Sequence, residues 1–203
     1  MKIAVAGASG RAGSRITAEL ARRGHNVTAI ARNPDKIEPL GNVTAVKGDV
    51  LDQAGLARLW SGHDAAVSAV RFTASDPDKL IGAARDSKVG RYLVVGGAGS
   101  LEVTPGVRLV TTPTFPAQYK TEAEKGAAFL DLLRLQKDLN WTFLSPSALF
   151  AEGERTGKFR LGTDQLLTDA SGKSWISFAD FAVALADEIE RPAHARARFT
   201  VGY

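Results

Sequence analysis

The 203-residue sequence predicts an α/β domain built on a parallel sheet with crossover helices. Three observations carry that expectation. Short β-type runs alternate with longer helix-type runs through the first half. The first such run empties straight into a glycine-rich turn that opens a helix. The composition, 44% hydrophobic and 24% charged, is that of a chain able to bury a core. With no internal repeat, low-complexity tract or linker, one domain over residues 1–203 is expected.

The strands are read at residues 2–6, 26–31, 43–47, 65–70 and 91–95, each rich in Val, Ile or Ala and bounded by turn residues. Helical spacing fills residues 12–23, 53–60 and 77–87, with Asp52 and Asp76 or Ser75 as N-caps. Gly24 after Arg22 and Arg23 marks a helix end: a residue free to take positive φ follows two cations suited to the negative dipole. The second half is less regular. Residues 117–139 form a long helix candidate, with Phe129, Leu132, Leu133 and Leu135 on or near one face. Residues 141–144 read as a sixth strand stopped by Ser145-Pro146. Residues 153–175 read as short strands and turns, 178–189 as a last helix, and 198–201 as a strand that closes the sheet.

Composition excludes several chemistries. Without cysteine there is no disulfide, thiolate nucleophile or cysteine zinc site. His25, His63 and His194 are far apart and not in a metal-ligand spacing, so no metal is expected. The net charge of +4 suits an anionic ligand and equally a solvated surface; with no Lys/Arg run, nucleic acid is not expected as a partner. Apolar stretches are strand-sized, so no membrane partner is expected and the chain reads as cytoplasmic. A redox role needs a borrowed cofactor.

Gly7-Ala8-Ser9-Gly10-Arg11-Ala12-Gly13 follows the first strand and opens the first helix. Glycines there let the backbone turn sharply and approach a diphosphate, while the free helix N–H groups meet its charge. The second strand ends in Ala31-Arg32-Asn33-Pro34. An Asp or Glu at that point selects the ribose hydroxyl of NAD; Arg32 instead offers a guanidinium to a 2′-phosphate, with Arg11 within the loop as a helper. NADPH is therefore expected over NADH. Asp49 and Val50, after the third strand, suit an adenine amino group and ring, and serve equally as a turn and cap. Ala69 and Val70 leave room for a dinucleotide to cross the sheet edge.

These residues resemble the atypical short-chain dehydrogenase/reductases, the NAD(P)H-binding, NmrA-like group. The stretches at 95–101, 141–146, 153–159 and 176–182 are similar to the NADH–flavin reductases of that group, and the resemblance runs over nearly the whole chain. It implies a Rossmann-like, doubly wound parallel sheet of order 3-2-1-4-5-6 with a seventh strand, and a small substrate-covering portion toward the C-terminus. The chain departs from the wider superfamily in one respect. Tyr92, Tyr119 and Tyr203 all lack a Lys four positions on, which argues against carbonyl reduction by a Tyr–Lys pair. A flavin (FMN or FAD) or a quinone-like acceptor tolerates that loss, because charge spreads through the ring and the protein supplies mainly orientation.

The acceptor pocket is expected from segments 96–101, 112–120 and 145–150, within substrate-side stretches 96–120 and 145–175. Gly96, Gly97 and Pro146 are expected beside the nicotinamide. Ser100, Tyr119 and Lys120 are the catalytic candidates: a donor, a ring-lining phenol and a charge, although each also reads as an ordinary turn or surface residue. Arg155, Lys158 and Arg160 form a basic patch for a substrate phosphate or, equally, solvated hairpin charges. Trp60, Trp141 and Trp175 read as core or interface residues. Gly99-Ser100 lacks the glycine and histidine of a hydrolase elbow. The expected function is hydride transfer from NADPH to a small-molecule flavin or quinone-like acceptor. The alternative is a dinucleotide-binding redox sensor without turnover, and a third reading is an isomerase or dehydratase on bound nucleotide. A homodimer is left open.

Overall fold

The computed structural model describes residues 1–203. In chain order the first half runs β1 (Lys2–Ala6), α1 (Arg11–Arg22), β2 (Asn26–Ala31), β3 (Val43–Lys47), α2 (Gln53–Trp60), β4 (Ala65–Ser68), α3 (Pro77–Asp86) and β5 (Arg91–Val95). Then follow the small hairpin β6 (Glu102–Thr104) and β7 (Val107–Arg108), α4 (Ala117–Arg134), β8 (Trp141–Pro146), β9 (Leu149–Ala151), β10 (Arg160–Gly162), β11 (Trp175–Ser177), α5 (Phe178–Glu190) and β12 (Ala197–Gly202).

The main sheet is ordered β10-β12-β8-β5-β4-β1-β2-β3, parallel except for β10. From the β3 edge this is the expected succession through seven strands. The detail that differs is β10, an eighth, antiparallel strand on β12 (Leu161↔Val201).

Strand alternation divides the core into two layers. Ile3 and Val5 of β1 face Ile16 and Leu20 of α1 and Phe181, Leu185 and Ile189 of α5. Ala4 and Ala6 face Trp60 of α2, Leu80 of α3, and Phe129 and Leu133 of α4. A sheet covered on both faces buries every residue of β4, β5 and β8, which is why these strands read as apolar runs without alternation.

The caps act as the sequence suggests. Asp52 Oδ1 accepts from the Gly55 N–H at 3.0 Å, and Asp76 Oδ1 from the Asp78 N–H at 3.0 Å. Beyond α1, the Gly24 N–H donates to the Ala21 carbonyl at 2.9 Å and the His25 N–H to Leu20 at 3.1 Å, which turns the chain into β2.

Three boundaries are corrected. The long helix stops at Arg134 rather than at residue 139; Leu135 is 71% exposed and off the buried face, because the chain reverses there to bring Leu139 and Trp141 into the core. The fourth strand ends at Ser68, since β1 ends opposite it, and Ala69 and Val70 leave the sheet toward its carboxyl edge. The sixth strand continues through Ser145 and Pro146, which pair with Thr200 and Val201 of β12.

Candidate functional site

The carboxyl ends of the parallel strands open into two cavities. The first is built on the glycine loop. Gly7 has φ +83°, and a Cβ there would lie 2.4 Å from the Ala69 carbonyl oxygen. At Gly13 a Cβ would lie 2.1 Å from the Gly7 carbonyl oxygen, so α1 packs directly on the turn that precedes it. The N–H groups of Gly7 and Ala8 both donate to the Ile30 carbonyl, at 2.9 and 3.2 Å, which anchors the loop to β2. The first turn of α1 has no side-chain cap and no acidic residue. An uncapped helix start beside a backbone that no side chain can crowd is a donor set that fits a diphosphate.

The adjoining cleft, about 220 Å³, is lined by Gly7, Ser9, Gly10, Arg32, Asp49, Val50, Ala69 and Val70, all named from sequence. Leu51 and Arg71 also line it and were not. Arg32 is exposed and has no acidic partner. Arg71 is 77% exposed, with only a 3.9 Å approach to Glu122. Two expected contacts have local work: Asn33 Oδ1 caps the Asp35 N–H at 3.1 Å, and Asp49 Oδ1 accepts from the Leu51 N–H at 2.9 Å. Ala8, Arg11, Ala12 and Gly13 shape the loop and helix start outside the cleft lining.

The second cavity, about 740 Å³, lies across residues 69–72 from the first: Val70 and Arg71 border one, Phe72 the other. Gly96, Gly97, Tyr119 and Pro146 line it as expected, and residues 96–119 and 146–174 supply most of its wall. Phe72 and Glu122 join them without a sequence signal; they are brought there by packing of α4 on the turn after β4. Glu122 holds that turn, accepting from the Phe72 N–H at 2.7 Å, the Thr73 N–H at 2.9 Å and the Thr73 hydroxyl at 2.6 Å.

The catalytic candidates separate. Tyr119 borders the cavity, 62% exposed. Ser100 is buried, and its hydroxyl accepts from Arg198 Nη1 at 3.3 Å rather than facing the cavity. Lys120 is exposed on α4 outside the lining. The basic patch is also dispersed. Arg155 pairs with Glu19 of α1 at 2.8 Å, and Arg160 donates to the carbonyls of Thr168 and Tyr203. The stretch carrying these charges is not a hairpin but an irregular segment leading into β10; buried Asp180 ties it down, accepting from the Gly157 N–H at 2.8 Å, and also accepts from the Tyr203 hydroxyl at 2.7 Å. Burial, foremost, and that carboxylate hold the Tyr203 phenol above its usual pKa. Trp60 and Trp141 lie in the core, and Trp175 packs on Tyr203 with ring centroids 4.4 Å apart.

Comparison with known proteins gives the family and its similar folds. A family model described as NAD(P)H-binding matches residues 7–192. A solved structure from Burkholderia pseudomallei, a protein provisionally described as exported, is 44% identical with a TM-score of 0.90, covering 100% of both chains. One from Bacteroides thetaiotaomicron, provisionally named an epimerase, is 37% identical with a TM-score of 0.95, covering 100% of this chain and 96% of that one. One from Streptococcus pneumoniae, provisionally named an NADH-flavin reductase, is 39% identical with a TM-score of 0.85, covering 100% and 99%. No helix of the chain is long and apolar enough to cross a membrane.

Proposed function

The chain belongs to the NAD(P)H-binding family, and from that premise we propose that it is an NADPH-dependent reductase of a flavin or quinone-like conjugated acceptor. The observation that carries this reading is the pair of cavities meeting at residues 69–72 along the sheet's carboxyl edge. A dinucleotide laid across that stretch has its diphosphate at the glycine loop and its adenosine end in the smaller cleft. Its pyridine end enters the larger one, beside Gly96, Gly97 and Pro146.

Arg32 and Arg71, two cations free of strong ion pairs, favour a 2′-phosphorylated cofactor in that cleft. When bound, the reduced nicotinamide supplies a hydride to the acceptor ring, and a water proton completes the two-electron reduction. The chain's own part is orientation: Phe72 and Pro146 form apolar wall, and Tyr119, whose hydroxyl has no partner within the chain, is the candidate that touches the acceptor. Ser100 and Lys120 have no part in this reading, because neither borders the cavity. The reading places the protein in the cytoplasm, where reduced pyridine nucleotide is available.

The epimerase name of one similar protein calls for a base. The one carboxylate that lines the cavity, Glu122, already holds three donors, so isomerisation is disfavoured. The test is NADPH oxidation followed by absorbance with riboflavin, FMN and menadione offered in turn. Acceptor-dependent oxidation supports the reductase. Tight NADPH binding with no turnover on any acceptor would falsify it and leave the redox-sensor reading.

A further inference from the structure

The charge inventory of the larger cavity narrows its ligand. Its walls contain no Lys, Arg or His, and its one ionisable carboxylate, Glu122, is consumed by the Phe72–Thr73 turn. Of the cations on nearby segments, Lys120 on α4 and Arg71 beside Phe72 stay outside the lining, and three others are engaged elsewhere. Arg108 makes a two-pronged pair with Asp131 at 2.8 Å, Arg160 sits on the Thr168 and Tyr203 carbonyls, and the Lys173 ammonium lies 4.7 Å from the centre of the Trp175 ring. What remains is apolar surface from Phe72, Phe115 and Phe150, with hydroxyls of Thr114 and Tyr119 as polar handles.

We infer that the cavity takes an uncharged, flat, phosphate-free conjugated ring, the isoalloxazine of riboflavin being the representative. This rests on the proposed reading of the cavity as the acceptor site. Hydroxyls suit ring carbonyls and imide edges, and aromatic walls suit ring faces. A phosphate dianion gains nothing here: it either stays in solvent or is desolvated without a partner. FMN and FAD are then bound through their ring alone. The nucleotide cleft is the opposite case, bordered by the guanidinium groups of Arg32, which has no acidic partner, and Arg71, which only approaches Glu122 at 3.9 Å. The two halves of the site sort ligands by charge.

The experiment is flavin-fluorescence titration of the complex with NADP⁺, which reads binding whether or not turnover occurs. Riboflavin is expected to bind as tightly as FMN or tighter, with neither Kd changing more than about twofold between roughly 20 and 200 mM salt. Introducing a cation on the exposed rim by Ala148→Lys, at a position with no polar side chain of its own, is expected to tighten FMN by about fivefold or more and leave riboflavin unchanged. FMN binding at least about tenfold tighter than riboflavin and weakening with salt overturns the inference, and so does binding of neither flavin. Loss of that FMN preference in Lys120→Ala would trace the error to a lysine that swings in. Failure of the reductase reading shows separately, as flavin binding without NADPH oxidation.

Discussion

At Gly13 the side chain is a hydrogen because a methyl would lie 2.1 Å from the Gly7 carbonyl oxygen, and backbone on both sides leaves neither partner free to give. Gly13→Ala therefore pushes α1 off the loop. It is expected to cost about 1–3 kcal/mol in a urea melt, and to weaken NADPH binding by at least about tenfold in calorimetry. Arg32 makes the opposite kind of prediction. It has no ion-pair partner in the fold, so Arg32→Ala should leave stability unchanged. NADPH affinity should fall by about 10–100-fold, as loss of a charge-assisted bond to phosphate implies, while NADH affinity stays the same. Equal losses for both cofactors would show that the arginine does not read the phosphate. Both residues were legible in the sequence because their work is local: the loop and the strand end are each set by a few consecutive residues. Arg71, Phe72 and Glu122 were not, because only the docking of α4 on the turn after β4 brings them to the cavities. Ser100 misled for the same reason in reverse. Its glycine-rich surroundings suggest an open turn, yet Arg198 from the far β12 closes over its hydroxyl.

α4 is the element on which the larger cavity depends: its first turn brings Tyr119 to the wall, and Glu122 one turn on holds the wall formed by the turn after β4. Removing that carboxylate by Glu122→Ala leaves the Phe72 and Thr73 N–H groups without their partner, and stability should fall by about 1–3 kcal/mol. The turn walls the cavity, so the Michaelis constant for the acceptor should rise more than the Kd for NADPH, and Glu122→Gln should recover part of both. A variant that melts earlier but keeps its acceptor constant would leave Glu122 a purely structural clamp. Elements of this kind were readable where punctuation is chemical: α2 and α3 begin at Asp caps, and α1 ends at a glycine. α4 was overextended because Leu135 continues the apolar spacing, whereas the chain must turn there to reach β8. β10 lies in the stretch that reads as short strands and turns, but nothing in its three residues, one an exposed leucine, assigns it to the main sheet; it joins there because β12 offers an edge.

At the scale of the molecule, two buried carboxylates tie the α1–α5 layer to the sheet and the C-terminal segments. Glu188 of α5, its side chain 3% exposed, accepts from Arg91 of β5 at 2.8 Å and from the His194 ring and N–H at 2.7 and 3.0 Å. Glu19 of α1 accepts from Arg22 and Arg23 in its own segment and from Arg155 in the irregular stretch before β10, and Arg23 goes on to Asp187 and Glu190 of α5. Burial, the largest single influence on each carboxyl, pushes its pKa up. For Glu188 the His194 and Arg91 bonds outweigh it, for Glu19 the three arginines do, and both end below the ordinary value. A depressed carboxylate pKa adds stability that is fully present above the unfolded value of about 4.3 and lost as pH falls toward the folded one. Unfolding free energy, measured in urea, should thus be level near neutrality with respect to these groups and drop below about pH 4.3. Glu188→Gln leaves Arg91 buried without its counter-charge, and should cost roughly 3–5 kcal/mol at neutral pH. It should also flatten the acid limb, since one of the groups whose protonation drives it is gone. An acid limb as steep in Glu188→Gln and Glu19→Gln as in the parent would mean that exposed carboxylates, not these two junctions, set the acid stability of the fold.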